Sequence, residues 1–127
     1  MASGASPAYT VEEMTYALKT ASARFIATHP ASMEVAVQAA KNAGIPREHI
    51  FLLEGKFEDY TTVQELVEIG KSYGGQGQAA EYKIPAGKKN KDVCALLSFS
   101  SGTTGLPKAV SQLSYENVLS TSQFLRS

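Results

Sequence analysis

Residues Cys94–Lys108, with the sequence CALLSFSSGTTGLPK, carry the strongest structural signal in this chain. The first six residues are mostly apolar and predict a buried β-strand. The next nine, Ser100–Lys108, contain four hydroxyl side chains, two glycines and one lysine. Glycines let the backbone approach a ligand closely, successive N–H groups form an anion-binding concavity, and lysine adds a compact positive charge. We therefore predict that residues 100–108 bind phosphate groups at the end of a strand.

This segment differs from the phosphate loop of the P-loop nucleotidases, because Lys108 is followed by Ala109 and not by serine or threonine. The structural alternative is a polar surface turn with no ligand. The nearly unbroken resemblance of this segment to a known phosphate loop favours phosphate binding over that alternative.

The run SSGTTGLPKAV resembles the phosphate loop of the adenylate-forming, or AMP-binding, superfamily. This superfamily includes acyl-CoA and aryl-CoA ligases, beetle luciferases and the adenylation domains of peptide synthetases. Upstream, Pro7–Thr10, Glu12 with Glu13, and the strand Phe25–Thr28 are similar to the corresponding segment of 4-coumarate–CoA ligase-like enzymes. The whole chain, residues 1–127, thus resembles an internal slice of the N-terminal domain of a longer acyl- or aryl-CoA ligase.

The resemblance implies a two-step reaction in the complete enzyme. ATP, with Mg²⁺, and a carboxylic acid give an acyl-adenylate and pyrophosphate, and the acyl group then passes to coenzyme A. The phosphate loop would hold the β- and γ-phosphates by electrostatic positioning. In this sequence the implied cofactor-binding residues are Ser100, Ser101, Gly102, Thr103, Thr104, Gly105 and Lys108. Among them, the hydroxyls would donate hydrogen bonds, the glycines would allow close approach, and the lysine would neutralise charge.

Two departures from the family pattern stand close to the motif. The family usually has glycine at the position of Ala109, and alanine would be strained there if the position needs a positive φ. The family also usually has histidine in a run that reads Ser114–Asn117 (SYEN) here. The family's adenine, ribose, Mg²⁺ and adenylating-lysine motifs lie further downstream. We therefore expect no catalysis from these 127 residues alone, and no Mg²⁺ ligands among them.

The remaining pattern predicts an α/β fold, a partial three-layer arrangement with one small, mostly parallel sheet of about three to four strands. Residues 1–9 are expected to be irregular. The predicted elements are a helix capped by Thr10 and Glu13 and ending near Ala21, a strand over Arg24–Thr28, a helix over 31–43 closed by Gly44, and a strand over His49–Leu53. This strand–helix–strand spacing predicts a parallel pair.

Further along, Thr61 paired with Gln64 is predicted to cap a third helix with an inner face of Val63, Leu66, Val67 and Gly70. Residues 71–92 are rich in glycine and lysine, which predicts a flexible polar connector. After the strand Val93–Phe99 and the predicted phosphate loop, Ala109–Leu113 is expected to form a return strand. A last helix is predicted to start at Ser114.

Composition excludes several classes of function. Twelve basic and twelve acidic residues give a formal net charge of zero, which argues against a nucleic-acid partner. No apolar run approaches membrane-spanning length.

Cys94 is the single cysteine of the chain and lies in an apolar run, so it is expected to be a buried small hydrophobe. A single cysteine without an internal disulfide partner fits a reducing compartment. The sequence shows no secretory signal and no peroxisomal tripeptide, so a cytoplasmic location is expected.

Three hypotheses on function remain open at this point. The first is a slice of an acyl- or aryl-CoA ligase that is inactive alone, with the acid and coenzyme A as partners only of a complete enzyme. The second is a small module that binds ATP weakly. The third is an interaction protein that forms a homo-oligomer or binds a partner protein through uncovered sheet faces, because part of a larger sheet leaves edges and apolar faces exposed.

Overall fold

A computed structural model describes residues 1–77, 79–80, 83–89, 92–100 and 108–113. The chain divides into two compact units, one of Pro7–Ala80 and the other of Met1–Ser6 with Glu81–Ser127. The elements, in chain order, are β1 (Ala2–Gly4), α1 (Val11–Thr20), β2 (Ile26–Thr28), α2 (Met33–Ala43), β3 (Ile50–Leu52), α3 (Val63–Ser72), β4 (Cys94–Ser100) and β5 (Lys108–Leu113). Short 3₁₀ turns over Pro30–Ser32 and Arg47–His49 precede α2 and β3.

Helix α1 begins as the sequence predicts, with a capping box at Thr10. The Thr10 hydroxyl accepts from the backbone N–H of Glu13, and the Glu13 carboxylate accepts from the backbone N–H of Thr10 at 2.8 Å. Helix α2 ends at Gly44, whose φ of 76° is in the left-handed region. That backbone conformation is easy only for glycine, which confirms its predicted role as the stop signal.

The start of α3 corrects the sequence prediction by one residue. Thr62, and not Thr61, is the N-cap, and its partner is Glu65 rather than Gln64. Thr61 is engaged elsewhere, because its carbonyl oxygen accepts a hydrogen bond from the backbone N–H of Leu52 at 2.9 Å. This bond keeps the chain extended beside β3 at Thr61, so α3 begins one residue later than the local sequence pattern predicts.

Strands β2 and β3 pair in parallel, with Ile26 opposite Ile50 and Thr28 opposite Leu52, which confirms the predicted strand–helix–strand unit. One face of this pair packs against α2, where Met33 and Leu52 are completely buried. Helix α1 packs on α2 in turn. Small residues on both helices are buried and allow close approach: Ala17, Ala36, Ala39 and Ala40.

Helix α3 does not bury the face that its periodicity predicts. Val63, Leu66 and Val67 are between 36 % and 45 % exposed, and α3 contains no buried residue. The helix is amphipathic, but no element in the described part of the chain covers its apolar side.

The second unit contains a three-stranded sheet in the order β1–β4–β5. β1 runs parallel to β4, with Ala2 opposite Leu96, so the prediction of an irregular start at residues 1–9 is wrong. Alanine, serine and glycine have little strand propensity. The strand exists because its backbone bonds to β4, a partner about ninety residues away in the chain. β5 pairs antiparallel with β4, which confirms the predicted return strand.

The α/β class is thus confirmed, with three helices and five strands among the residues that the structure describes. The strands are divided between two small sheets, where the sequence predicted one. The predicted helix after Ser114 lies outside the described residues. None of the helices in the described ranges is long and apolar enough to cross a membrane.

Candidate phosphate site at the end of the β4–β5 hairpin

The two ends of the predicted phosphate-binding segment lie opposite each other. Ser100 is the last residue of β4, Lys108 is the first residue of β5, and the two are paired across the antiparallel ladder. Such paired residues project to the same face of a sheet, with Cβ atoms about 5 Å apart. Both are exposed. A hydroxyl and an ammonium group therefore stand side by side at one end of the hairpin, accessible to an anion.

The other predicted site residues belong to the connection between these strands. Ser101, Gly102, Thr103, Thr104 and Gly105 lie outside the described residues. The chain leaves β4 at Ser100 and re-enters the sheet at Lys108, so this connection begins and ends at a single cross-strand pair.

Ala109, where the family usually has glycine, lies in β5 opposite Phe99. The non-glycine residues with positive φ in the described ranges are Ser22 and Glu58, so Ala109 has the extended backbone of an ordinary strand residue. Alanine is unstrained in that conformation. The substitution therefore leaves the hairpin intact, and the strain considered from the sequence does not arise.

Cys94 begins β4 and is half-buried, where the sequence predicted a buried residue. Its thiol contacts the carbonyl oxygen of Leu96 at 3.5 Å. This contact satisfies the thiol within its own strand.

The two histidines lie in the unit of residues 7–80, at a loop and at a strand edge. His29 caps the 3₁₀ turn before α2 through Nδ1, and its Nε2 lies 3.2 Å from Glu54. His49 immediately precedes β3, and its Nδ1 lies 3.0 Å from the carbonyl oxygen of Arg24. No group of three or more His, Cys, Asp or Glu side chains within the described ranges could hold a metal ion.

A cluster around Arg47 is the feature that sequence reasoning missed. The guanidinium of Arg47 donates to Asp59, lies 3.4 Å from Glu58, and stacks 4.1 Å above the ring of Tyr60. The hydrogen bond from Arg47 lowers the pKa of the Asp59 carboxyl, and the same bond raises the pKa of Arg47. The charged groups are exposed and the cluster joins the segment before β3 to the segment after it, so we interpret it as structural. The only sign of this cluster in the sequence is the acidic pair Glu58 and Asp59, which follows Arg47 by eleven and twelve residues.

The comparisons with known proteins agree with this architecture. The chain is 30 % identical over 107 residues to the acyl-CoA ligase azaF of Aspergillus niger, a match that covers 84 % of this chain and 20 % of the relative. The anthranilate CoA ligase AuaEII, solved with anthranoyl-AMP, has a TM-score of 0.69 at 24 % identity, covering 96 % of this chain and 22 % of that one. The luciferase-like enzyme of the mealworm Zophobas morio has a TM-score of 0.59 at 26 % identity, covering 91 % and 25 %.

The chain spans about a fifth of the length of the curated relatives that it matches. The family model described as AMP-binding enzyme covers residues 1–126. The chain therefore belongs to the AMP-binding enzyme family, and it corresponds to one segment of the longer enzymes that it matches.

Proposed function

We propose that residues 100–108 form the ATP phosphate-binding loop of an acyl- or aryl-CoA ligase. The observation that carries this proposal is the cross-strand pair of Ser100 and Lys108. It brings a hydroxyl donor and a positive charge together at the ends of a segment rich in glycine and hydroxyl groups. Family membership supports the same assignment, because the matched relatives include acyl-CoA ligases.

The chemistry of the proposed site is electrostatic. ATP supplies the phosphoanhydride when bound. The ammonium group of Lys108 would neutralise phosphate charge and reach the anion as a mobile point charge. The hydroxyl of Ser100 would donate a hydrogen bond beside it, and a bond to a charged acceptor is about twice as strong as a neutral one. These groups bind and orient phosphate, and none of them forms a covalent bond with it.

A titration with Mg·ATP tests the phosphate assignment. Replacing Lys108 by alanine should weaken ATP binding by about 1–3 kcal/mol, because one charge-assisted contact is lost. Isothermal titration calorimetry of the purified chain measures this loss. Lys88→Ala is the matched control, since it removes another exposed lysine from the same unit. Equal affinities of wild type and Lys108→Ala would contradict the assignment.

We also propose that these 127 residues do not catalyse adenylation by themselves. The reason is that the chain spans only a fifth of its relatives, and the described residues contain no metal-binding cluster. The purified chain should give no ATP–pyrophosphate exchange with benzoate, phenylacetate or anthranilate. Exchange above the level of a Lys108→Ala sample would contradict this proposal while leaving the phosphate assignment intact.

A further inference from the structure

Two overlapping capping boxes precede α3. The structure contains the one formed by Thr62 and Glu65. The Thr62 hydroxyl accepts from the backbone N–H of Glu65 at 3.1 Å, and the Glu65 carboxylate accepts from the backbone N–H of Thr62 at 2.7 Å. One residue earlier, Thr61 and Gln64 have the spacing that a capping box requires. The chain therefore carries two candidate N-caps for the same helix, which we call the Thr62 start and the Thr61 start.

The carbonyl oxygen of Thr61 has a different partner in each start. In the structure it accepts from the backbone N–H of Leu52 at 2.9 Å, and Leu52 and Thr62 form a parallel β-bridge. With Thr61 as the N-cap, the same oxygen would accept the first bond of the helix, from the N–H of Glu65. The Thr61 start thus exchanges one backbone hydrogen bond for another, so the two starts are close in their hydrogen bonding.

The cluster around Arg47 holds the residues immediately before Thr61. Its guanidinium donates to both carboxylate oxygens of Asp59 and lies 3.4 Å from a carboxylate oxygen of Glu58. It also stacks on the ring of Tyr60, which is buried. A single exposed ion pair contributes little, but a forked contact combined with further partners forms a network. The cluster therefore keeps the chain beside β3 as far as Thr61, which favours the Thr62 start.

Acid acts unequally on the two starts. Backbone and hydroxyl hydrogen bonds from Thr62 lower the pKa of Glu65. The Glu65 carboxylate therefore stabilises the Thr62 start above its ordinary pKa, and this contribution is lost as the pH falls through the lowered value. The hydrogen bond from Arg47 lowers the pKa of Asp59, so the cluster weakens in the same direction. The Thr61 start uses the amide of Gln64, which does not titrate.

The neighbouring charged groups favour the same shift in acid. Within the described part of the chain, they are Glu58 at the Arg47 cluster, and Glu68 with Lys71 on α3. The Glu68 carboxylate accepts from the Gln64 amide at 2.8 Å, which keeps that amide away from Thr61. Protonation of Glu68 weakens this bond, and protonation of Glu58 weakens the cluster. The Lys71 ammonium keeps its charge in acid.

We propose that the start of α3 is an acid-sensitive switch. The Glu65 carboxylate and the Arg47 cluster hold the N-cap at Thr62, and acid moves it one residue toward the N-terminus, to Thr61. The move releases the backbone N–H of Leu52 and lengthens α3 by one residue. The inference rests on contacts among residues 47–71 and not on ATP binding, so it can fail while the proposed function stands.

The Cα and Cβ carbon chemical shifts of Thr61 and Thr62 report the start directly, because an N-cap residue has an extended backbone and the residue after it a helical one. They are followed in the labelled chain from about pH 7 to about pH 3. Thr62 should move from extended toward helical values while Thr61 stays extended. Thr10 of α1 is the internal control and should stay extended, because the preceding Tyr9 offers no second N-cap.

Variants at neutral pH test the switch without acid. The double variant Glu65→Ala with Arg47→Met should raise the ratio of the Thr61 start to the Thr62 start by at least about tenfold, since one capping group changes such a balance by about 2- to 30-fold. Adding Gln64→Ala should reverse the change, because it removes the partner of Thr61. Glu34→Ala with Lys41→Met is the matched control, since it removes one exposed acid and one exposed base from α2.

Three results would overturn the proposal. The first is a Thr62 that keeps extended values in a chain still folded at about pH 3. The second is a Thr62 that keeps them in the double variant, and this result decides alone if the wild-type chain unfolds in acid. The third is a double variant in which Thr62 and Leu66 both show coil values, because the helix would then be lost instead of starting at Thr61.

Discussion

At the scale of single residues, the local capping pattern identifies the start of α3 only to within one residue. Thr61 and Thr62 both satisfy a capping pattern, with Gln64 and Glu65 as the respective partners. The sequence predicted the first pair and the structure has the second. The deciding interaction is the bond between the Leu52 N–H and the Thr61 carbonyl, which depends on tertiary structure and leaves no trace in the local sequence.

The capping box of α1 predicts a specific dependence of stability on pH. The backbone N–H and the hydroxyl of Thr10 both donate to the Glu13 carboxylate, and these bonds lower the pKa of Glu13. A lowered folded-state pKa stabilises the fold above the unfolded-state pKa, and this contribution is lost as pH falls through the folded-state value. Glu13→Gln should therefore be less stable than wild type at neutral pH, and the difference should shrink below about pH 4.3, the ordinary pKa of glutamate.

Urea denaturation followed by far-UV circular dichroism at several pH values measures this difference. Glu12→Gln serves as the control, because it removes one charge from the same helical turn without touching the Thr10 bonds. If the difference between wild type and Glu13→Gln is the same at about pH 3 as at neutral pH, the carboxylate does not stabilise the cap.

At the scale of elements, the spacing of apolar residues predicted which segments form helices and strands better than it predicted which of their faces are buried. Met33 and Ala40 of α2 are buried, since β2 and β3 provide a surface for them within the same unit. The apolar side of α3 has the same kind of pattern and remains exposed. Periodicity identifies an amphipathic face, but burial requires another element to pack against it, and the described part of the chain supplies none for α3.

Two neighbouring leucines in and after β3 provide a test of this distinction. Leu52 is completely buried and Leu53 is 55 % exposed. Leu52→Ala should lower the free energy of unfolding by about 2–5 kcal/mol, because it leaves a cavity in the core. Leu53→Ala, the matched control, should change it by less than about 0.5 kcal/mol.

Denaturant titration of both variants gives these values. A cost for Leu53→Ala as large as that for Leu52→Ala would mean that the side of the β2–β3 pair that carries Leu53 is packed as tightly as the side that carries Leu52. That result would contradict the assignment of which side of the β2–β3 pair forms the core.

At the scale of the whole molecule, the sequence predicted the α/β class from its strand–helix–strand spacing. It predicted the family because the run from Ser100 to Lys108 combines residue types that seldom occur together at this spacing. It did not predict β1, whose residues Ala2–Gly4 have no strand pattern and are held by a distant partner. It also did not predict two sheets. The pairing of β1 with β4 is a long-range contact, whereas local spacing indicates only the β2–β3 crossover and the return of β5 along β4.

Nuclear magnetic resonance of the labelled chain tests the central claim, that the β4–β5 hairpin holds phosphate, most directly. Pyrophosphate and adenosine are titrated separately into the protein, and the backbone amide resonances of Ser100 and Lys108 are followed. Pyrophosphate should shift both resonances and adenosine should shift neither, because the proposed site would offer hydroxyl groups, N–H groups and one positive charge. Shifts with adenosine alone, or no shift with pyrophosphate, would contradict the account.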